Sequence, residues 1–289
     1  MTKYLFFDID GTLLHQGSYI PESAIAALRN TRKKGNKIFI CSGRSRAMLP
    51  KKVLDIGFDG IVCGGGTYIS YGDKIIKQHR LSEDELRRIN KWFLAKPVAC
   101  FFEGDEYIFT LPLSHYGNPE RLQMFLELLS APKKIYEPDH PEEVKAAKFS
   151  GMIVPELWDY TMEMAEDIKD FMHLIIHNYP NADQHESYMK TMVNEPPHEG
   201  DDSGDGFVEF LPNGCTKAEG IKGLAKILDF PLTDAYTFGD SENDREMLTE
   251  IPNSICMGNG NEEIKKVASY VTADLLDDGI YKALKHFGL

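Results

Sequence analysis

The 289-residue sequence predicts the α/β fold class, with an open parallel sheet into which an α+β segment is inserted. Three observations lead to this prediction: unbroken apolar runs recur, helix signals lie between them, and the middle of the chain follows a different pattern. Apolar runs without polar alternation are typical of strands that are buried on both faces of a parallel sheet. The runs are Tyr4–Phe7, Ile38–Cys41, Ile61–Cys63, Ala235–Phe238, Ser254–Met257 and Tyr270–Val271.

Two segments between these runs carry helix signals. The segment Pro21–Lys34 has a proline at its start and Gly35 directly after its end, which is the usual asymmetry of helix termini. The segment Thr216–Leu228 begins with Thr216 and Glu219, which have the spacing of a capping box. Strands that alternate with such helices favour an open α/β sheet.

The middle of the chain also mixes helix and strand signals. Ser82 and Glu85 have capping-box spacing at the start of a predicted helix over Glu83–Phe93, and a second helix is predicted over Tyr160–Met172. Aromatic and β-branched pieces around these helices predict strands. The pieces are Ala99–Phe102, Tyr107–Thr110, Ser150–Val154 and His173–Ile176.

These patterns predict a discontinuous core domain and one inserted domain. The segment Asn194–Gly206 is polar, acidic and rich in proline and glycine, so it is predicted to be a loop or linker. We therefore expect a core of residues 1–82 and 207–289, and an inserted α+β domain of residues 83–206.

Charge and cysteine content limit the classes of function. A net charge of −13 argues against nucleic acid as a partner, because binding its backbone needs a basic face. Phosphorylated small molecules are not excluded as substrates, because one metal ion and a few local cations can make the potential inside a pocket positive. The five cysteines include no CxxC pair, and no apolar run approaches the ~18 residues of a membrane span. Asp8 and Asp10 interrupt the first apolar run too early for a signal peptide, so we expect a cytoplasmic protein without a membrane partner.

Three of the predicted strands end in polar motifs. These are Asp8–Thr12 (DIDGT), Cys41–Arg44 (CSGR) and Gly239–Asp244 (GDSEND). Ligands bind at the carboxyl ends of the strands in open α/β sheets, so we expect the motifs to meet at one edge. Each motif alone has a structural explanation: a turn, a common loop and a solvated helix start. Their order, each after a buried strand, favours a functional site.

Charged side chains near this edge need partners. Asp8 and Asp10 stand two residues apart at the end of an apolar run, and burying a carboxylate without a partner is costly. A metal ion, a proton or a substrate is therefore expected beside them. Lys217 stands in the first turn of a predicted helix, where a cation opposes the helix macrodipole. It is either a surface lysine or a residue that reaches the carboxylates and stabilises Asp8 and a bound phosphoryl oxygen.

Taken in order, these motifs resemble those of the haloacid dehalogenase (HAD) superfamily. The matching residues are Asp8-x-Asp10-Gly11-Thr12, Ser42, Lys217 and Gly239-Asp240-x-x-Asn243-Asp244. The SGR sequence after the second strand and the large insertion before Lys217 resemble the Cof-type, sugar-phosphatase-like branch. The resemblance implies a Rossmann-like core and an inserted C2-type cap domain.

The resemblance also implies roles for the residues. Asp8 would be the nucleophile that forms an aspartyl-phosphate, and Asp10 the general acid and base. Asp8, the Asp10 carbonyl and Asp240 would bind Mg²⁺, while Asp244 would support the metal and Lys217. The expected phosphate-binding residues are Thr12, Ser42, Gly43, Arg44, Lys217 and Asn243. Two alternatives stay open for Arg44: it contacts the cap, or it forms a structural salt bridge.

The expected function is a Mg²⁺-dependent phosphatase for small organic phosphate monoesters, such as sugar phosphates. The alternatives are a phosphotransferase or phosphomutase on the same scaffold, and a non-catalytic phosphate-binding regulatory protein. The complete set of residues argues against the last. One departure stands out: Gly64-Gly65-Gly66 follows the third strand where relatives often have Asn-Gly. A contact from that asparagine would be lost, and the glycines would instead permit close backbone approach.

Overall fold

The computed structural model describes residues 1–129, 131–178 and 206–289. These residues divide into two compact units. The first comprises residues 1–44, 49–78 and 215–289, and the second comprises 45–48 and the described part of 79–214. Both boundaries drawn from the sequence, 82/83 and 206/207, fall within the second unit. Most of the loop predicted over Asn194–Gly206 lies outside the described residues.

The first unit is built on an eight-stranded sheet. Its parallel strands are β1 (Tyr4–Phe7), β2 (Lys37–Cys41), β3 (Gly60–Cys63), β12 (Ala235–Gly239), β13 (Asn253–Cys256) and β14 (Tyr270–Val271). Each of them coincides with a predicted apolar run to within a residue. An antiparallel hairpin of β4 (Tyr68–Tyr71) and β5 (Lys74–Gln78) extends one edge. The strand order is β14-β13-β12-β1-β2-β3-β4-β5, which confirms the predicted open α/β sheet.

Helices cover both faces of this sheet. Its described helices are α1 (Glu22–Lys33), α2 (Lys51–Leu54), α6 (Lys217–Leu228), α7 (Arg245–Glu250), α8 (Glu262–Val267) and α9 (Gly279–His286). Alternate residues of β1 enter different cores: Phe7 packs in the cluster with α1 and α9, whereas Phe6 packs with α6, α7 and α8. Because successive strand side chains point to opposite faces, the unit has three layers. None of the helices in the described ranges has the length and apolar character needed to cross a membrane.

The second unit contains a six-stranded, mainly antiparallel sheet. Its strands are β6 (Ala99–Gly104), β7 (Ile108–Thr110), β8 (Lys133–Ile135), β9 (Ala146–Ile153), β10 (Met172–Asn178) and β11 (Gly206–Pro212), in the order β10-β11-β9-β6-β7-β8. Its helices within the described residues are α3 (Glu83–Ala95), α4 (Pro119–Leu128) and α5 (Trp158–Ile168). Strand β11 pairs with β10 and β9, although the sequence boundary at 206/207 assigned it to the core.

The two faces of the second sheet differ in chemistry. Phe149 packs against Phe210 and against Phe93 of α3, with ring centroids 4.4 and 5.3 Å apart. Its neighbour Lys148 is fully buried and forms ion pairs with Glu103 and Glu209. The alternation along β9 therefore puts an aromatic core on one face and a paired ionic cluster on the other.

Candidate active site

The strand order of the first unit brings the three polar motifs together. Strands β12, β1 and β2 are neighbours, with Phe7 paired to Phe238 on one side and to Ile40 on the other. Asp8 follows β1, Ser42 follows β2 and Asp240 follows β12. Since all three strands are parallel, the residues after them lie at the same edge of the sheet.

Lys217 stands at the centre of a buried hydrogen-bond cluster at this edge. Its Nζ donates to Asp244 Oδ1 at 2.6 Å, to Asp8 Oδ1 at 2.7 Å and to Asn243 Oδ1 at 3.1 Å. Lys217 exposes 4 % of its surface and Asp8 exposes 3 %. Helix α6 begins at Lys217 after the N-cap Thr216, whose Oγ1 accepts from the Glu219 amide at 3.1 Å. Of the two explanations for this lysine, the structure supports the one in which it reaches the carboxylates.

Burial and neighbouring charge determine the protonation of the pair. Burial raises the pKa of Asp8 to about 7, and the charge of Asp244 adds to the effect while Lys217 opposes it. Burial lowers the pKa of Lys217, but the carboxylates of Asp244 and Asp8 outweigh it, so that this pKa lies above its ordinary value. Lys217 is therefore a cation throughout the neutral range, whereas Asp8, with a pKa of about 7, is only partly ionised there.

Asp240 lies against the turn that follows Asp8. Its Oδ1 accepts from Thr12 Oγ1 at 2.7 Å. Gly11 has φ +76°, and a Cβ built there would lie only 2.1 Å from Asp240 Oδ2, so glycine is required for this approach. Burial raises the pKa of Asp240 well above its ordinary value, and the charges of Asp244 and Asp8 add to this rise.

Asp244 is bound on both of its carboxylate oxygens. Oδ1 accepts from Lys217, and Oδ2 accepts from the backbone amides of Asp240 at 2.9 Å and Ser241 at 3.2 Å. Asp244 therefore connects Lys217 to the loop that carries Asp240, which is a supporting position.

Arg44 forms a two-point ion pair with Asp10. Its Nε donates to Asp10 Oδ2 at 2.6 Å and its Nη2 to Asp10 Oδ1 at 2.9 Å. The side chain of Asp10 is about half exposed, whereas that of Asp8 is buried. The two carboxylates of the DIDGT motif thus have different partners and different solvent contact.

The side-chain oxygens of Ser42 and Asn243 both accept hydrogen bonds within the site. Ser42 Oγ accepts from the Arg44 amide at 3.2 Å, so its hydroxyl hydrogen points elsewhere. Asn243 Oδ1 accepts from Lys217 and, at 3.0 Å, from Ser241 Oγ. The Asn243 amide nitrogen and the Ser42 hydroxyl therefore remain as donors. Gly43 lies between Ser42 and Arg44, partly exposed.

Comparison with known families decides the identity of this chain. The family model of the haloacid dehalogenase-like hydrolases matches residues 5–284. The chain is a haloacid dehalogenase-like hydrolase. The resemblance drawn from the motifs is thereby confirmed.

Relatives of this hydrolase over their whole length are named as phosphatases. YkrA of Bacillus subtilis, which bears a phosphatase name, is 27% identical over 100% of this chain and 98% of its own. The HMP-PP phosphatase of Klebsiella pneumoniae is 24% identical over 99% of this chain and 94% of its own. A solved structure of a HAD subclass IIB sugar phosphatase has a TM-score of 0.74 and 26% identity, and covers 99% of both chains.

The donor set of the hydrolase fits a hard divalent cation. One oxygen from each of Asp8, Asp240 and Asp244 lies within 4.8 Å of the others. Burial raises the pKa of both Asp8 and Asp240, and repulsion by the charge of Asp244 adds to the rise at each of them. Carboxylate oxygens are the ligands that Mg²⁺ prefers, and a cation among them would relieve the repulsion.

Two further features of the hydrolase lie beside the site, and the first of them was not predicted from the sequence. Asn259 donates through Nδ2 to the Gly11 carbonyl at 2.8 Å and accepts from the Leu275 amide at 3.0 Å. It follows β13, the strand beside β12, so the rule that strand ends carry function would have found it. The second feature is Gly66, where an added Cβ would lie 2.5 Å from the Thr216 carbonyl oxygen. This agrees with the close backbone approach expected of the glycines.

Proposed function

We propose that this protein is a Mg²⁺-dependent phosphatase that hydrolyses small organic phosphate monoesters through an aspartyl-phosphate on Asp8. The observation that carries the proposal is the buried Asp8 carboxylate, held at 2.7 Å by Lys217 beside Asp240. Membership in the hydrolase family and the phosphatase names of full-length relatives support it.

The proposed nucleophile is Oδ2 of Asp8, the oxygen that does not accept from Lys217. Lys217 holds Oδ1, which leaves Oδ2 to attack phosphorus as the bond to the leaving oxygen breaks. Lys217 also lowers the cost of charge on Asp8, whose pKa of about 7 is governed by burial. Attack by water on the aspartyl-phosphate then releases inorganic phosphate and restores the carboxylate.

Asp10 is the proposed general acid and base. As the carboxylic acid it gives its proton to the leaving oxygen, and as the carboxylate it takes a proton from the attacking water. Its greater exposure and its separate partner, Arg44, distinguish it from Asp8. Binding of a phosphate dianion near Arg44 would compete for the guanidinium, since arginine also binds phosphate at two points.

Further donor groups at the site are proposed to hold the phosphoryl oxygens. The Ser42 hydroxyl, the Gly43 amide and the Asn243 amide nitrogen serve this role, together with Lys217. Thr12 differs from the expectation in one respect, because its hydroxyl donates to Asp240. We assign its contribution to phosphate binding to its backbone amide.

Mg²⁺ is proposed to lie among Asp8, Asp240 and the backbone carbonyl of Asp10. When bound, it neutralises charge on the phosphoryl group. The described side chains at the site include four carboxylates, Asp8, Asp10, Asp240 and Asp244, against two cations, Lys217 and Arg44. A phosphate dianion would add to this negative excess, so the site itself needs a further cation.

We propose that the first unit is the catalytic core and that the second unit, which contains β11 and the described part of residues 83–206, is a cap that selects the substrate. The relatives are named for unlike substrates, a sugar phosphate in one case and HMP-PP in another. We therefore propose a small phosphorylated metabolite as the substrate class. A phosphotransferase on the same scaffold is the second candidate, since both reactions share the aspartyl-phosphate.

A phosphate-release screen tests the proposal. Purified protein is incubated with sugar phosphates, nucleotides, cofactor phosphates and an aryl phosphate, with Mg²⁺ or with a chelator, and substrates are ranked by kcat/KM. We expect phosphate release that requires Mg²⁺. Full activity in chelator contradicts the metal assignment, and phosphoryl transfer to a sugar in preference to water favours the second candidate.

A further inference from the structure

The glycine turn Gly64–Gly66 after β3 has no role in the reaction as described so far. Its three residues have φ values of +58°, +60° and +85°. Side chains other than glycine rarely adopt this left-handed region, and three successive residues in it are unusual. The turn therefore requires glycines for its shape.

Backbone hydrogen bonds join the turn to the loop after β2. The Gly64 amide donates to the Arg44 carbonyl at 2.7 Å, and the Gly65 amide donates to the Ser42 carbonyl at 3.2 Å. The turn thus holds both ends of the Ser42–Arg44 segment, which we propose binds phosphate.

Close packing joins the same turn to the start of α6. A Cβ on Gly66 would lie 2.5 Å from the Thr216 carbonyl oxygen, and a Cβ on Gly220 would lie 3.3 Å from the Gly66 Cα. The Thr216 carbonyl accepts from the Gly220 amide at 3.0 Å in the first turn of the helix. A larger residue at position 66 would therefore displace the peptide that precedes Lys217.

We propose that the Gly64–Gly66 turn is a positioning element that sets the place of Lys217 relative to Asp8. This rests on the proposed function, because it gives the turn a part in that reaction. Lys217 directly follows Thr216, so a shift of the Thr216 carbonyl moves the backbone from which its side chain extends. The ammonium must meet Asp8 and Asp244 together, at 2.7 and 2.6 Å, which leaves little freedom for the helix start.

The first experiment compares Gly66→Ala with Gly214→Ala. Gly214 has φ +73° and nothing within 4 Å of an added Cβ, so its substitution causes the same backbone strain without displacing a neighbour. We expect both variants to have a lower melting temperature, and Gly66→Ala to show the larger decrease because its Cβ also clashes with the Thr216 carbonyl. The kcat of Gly66→Ala should fall about tenfold or more, and that of Gly214→Ala should stay within about twofold of wild type. KM for Gly66→Ala should change little, because the Gly64 and Gly65 amides still hold the carbonyls of Arg44 and Ser42. Equal kcat values for the two variants overturn the proposal.

A second pair of variants, Gly220→Ala and Gly220→Ala/Val62→Ala, tests the proposal if Gly66→Ala does not fold. A Cβ on Gly220 would lie 2.5 Å from Val62 Cγ1, so Gly220→Ala pushes α6 away from β3 without left-handed strain. We expect a lower kcat, and recovery of kcat in Gly220→Ala/Val62→Ala, where the clash is removed. A kcat that stays at the wild-type value in Gly220→Ala, or no recovery in the double variant, contradicts the proposal.

A crystallographic arm separates this proposal from the proposed function. The distance from Lys217 Nζ to Asp8 Oδ1 is measured in Gly66→Ala, or in Gly220→Ala if the former does not fold, and in Gly214→Ala. We expect it to lengthen in the variant that disturbs α6 and to stay at its wild-type value in Gly214→Ala. An unchanged distance in both overturns the positioning role. Absence of phosphate release from wild-type protein instead refutes the phosphatase, and leaves this distance as the test.

Discussion

At the scale of single residues, Asp8 must be ionised to act as the proposed nucleophile, but its buried surroundings disfavour the ionised form. Its folded-state pKa of about 7 lies above the ordinary value of 3.8, chiefly because of burial. A raised carboxylate pKa contributes stability at low pH that is lost as pH rises from about 4 to 7. In the metal-free protein, ionisation of the buried Asp8 therefore lowers the free energy of unfolding at neutral pH.

The variant Asp8→Asn should lose turnover and gain stability. An amide is a poor nucleophile, so phosphate release should fall to background. In chelator, the difference in free energy of unfolding between variant and wild type should be near zero at pH 4 and grow until about pH 7, because asparagine does not titrate. Denaturant unfolding across this pH range measures it. Asp55→Asn, at an exposed residue, is the control and should show neither effect. Turnover retained in pure Asp8→Asn protein would refute the nucleophile.

Lys217→Ala should have the opposite effect on stability. It leaves Asp8 and Asp244 buried without their cation, a loss that costs about 3–5 kcal/mol at neutral pH. The pKa of Lys217 is raised in the folded state, so its contribution is present throughout the neutral range and disappears only at strongly alkaline pH. Chemical denaturation at pH 7 measures the change.

Lys222→Ala is the matched control for this prediction. Lys222 lies on the same helix and forms surface ion pairs with Glu219 and Glu250. Such pairs contribute about 0–1 kcal/mol. If the two variants lost equal stability, the buried cluster would not be the source of the effect.

At the scale of elements, local signals in the sequence placed the termini of α1, α3 and α6 to within two residues, but not the end of α5. The Ser82–Glu85 capping box is present at the start of α3, and β1 covers the predicted Tyr4–Phe7. The helix predicted to run to Met172 ends at Ile168, because Met172 begins β10 and pairs with Pro212, forty residues further along the chain. No local pattern contains such a partner.

Prediction of the site shows the same contrast between what local sequence signals determine and what depends on distant contacts. That Asp8, Ser42 and Asp240 share an edge was predictable, because the rule for parallel strands needs only their order. That Arg44 binds Asp10, and that Thr12 donates to Asp240, depends on side-chain directions around the Gly11 turn. The antiparallel hairpin β4–β5 was also missed, since Lys74–Gln78 is largely exposed and lacks an apolar run.

Removal of the α3 cap should destabilise its helix without affecting the site. Ser82 Oγ accepts from the Glu85 amide at 3.3 Å, and Glu85 Oε2 accepts from the Ser82 amide at 2.7 Å. Ser82→Ala should lower the free energy of unfolding by about 1 kcal/mol, and Ser82→Asp, which can still cap, should lower it less. Thermal unfolding measures both, and kcat should stay at the wild-type value. A large change in kcat would show that the second unit is coupled to the chemistry.

At the scale of the whole molecule, all of the proposed catalytic residues belong to the first unit. Asp8, Asp10, Lys217 and Asp240 lie within residues 1–44 and 215–289. Apart from residues 45–48, the chain leaves this unit after residue 78 and returns at residue 215, and Lys77 Nζ lies 3.4 Å from Cys215 Sγ. Exit and return are thus adjacent, which is the usual condition for a tolerated insertion.

A chain in which a short Gly/Ser linker joins residue 78 directly to residue 215 should therefore fold. It keeps the sheet, its helices and the carboxylate cluster, so we expect cooperative thermal unfolding and a melting temperature that rises with Mg²⁺ concentration by mass action. Turnover of an aryl phosphate should persist at a reduced rate, while discrimination among sugar phosphates should weaken, because the proposed selecting domain is gone. The same chain with Asp240→Asn is the control and should lose the response to Mg²⁺. A chain that unfolds without cooperativity would show that the first unit depends on the second, and unchanged substrate preference would remove the selecting role from residues 83–206.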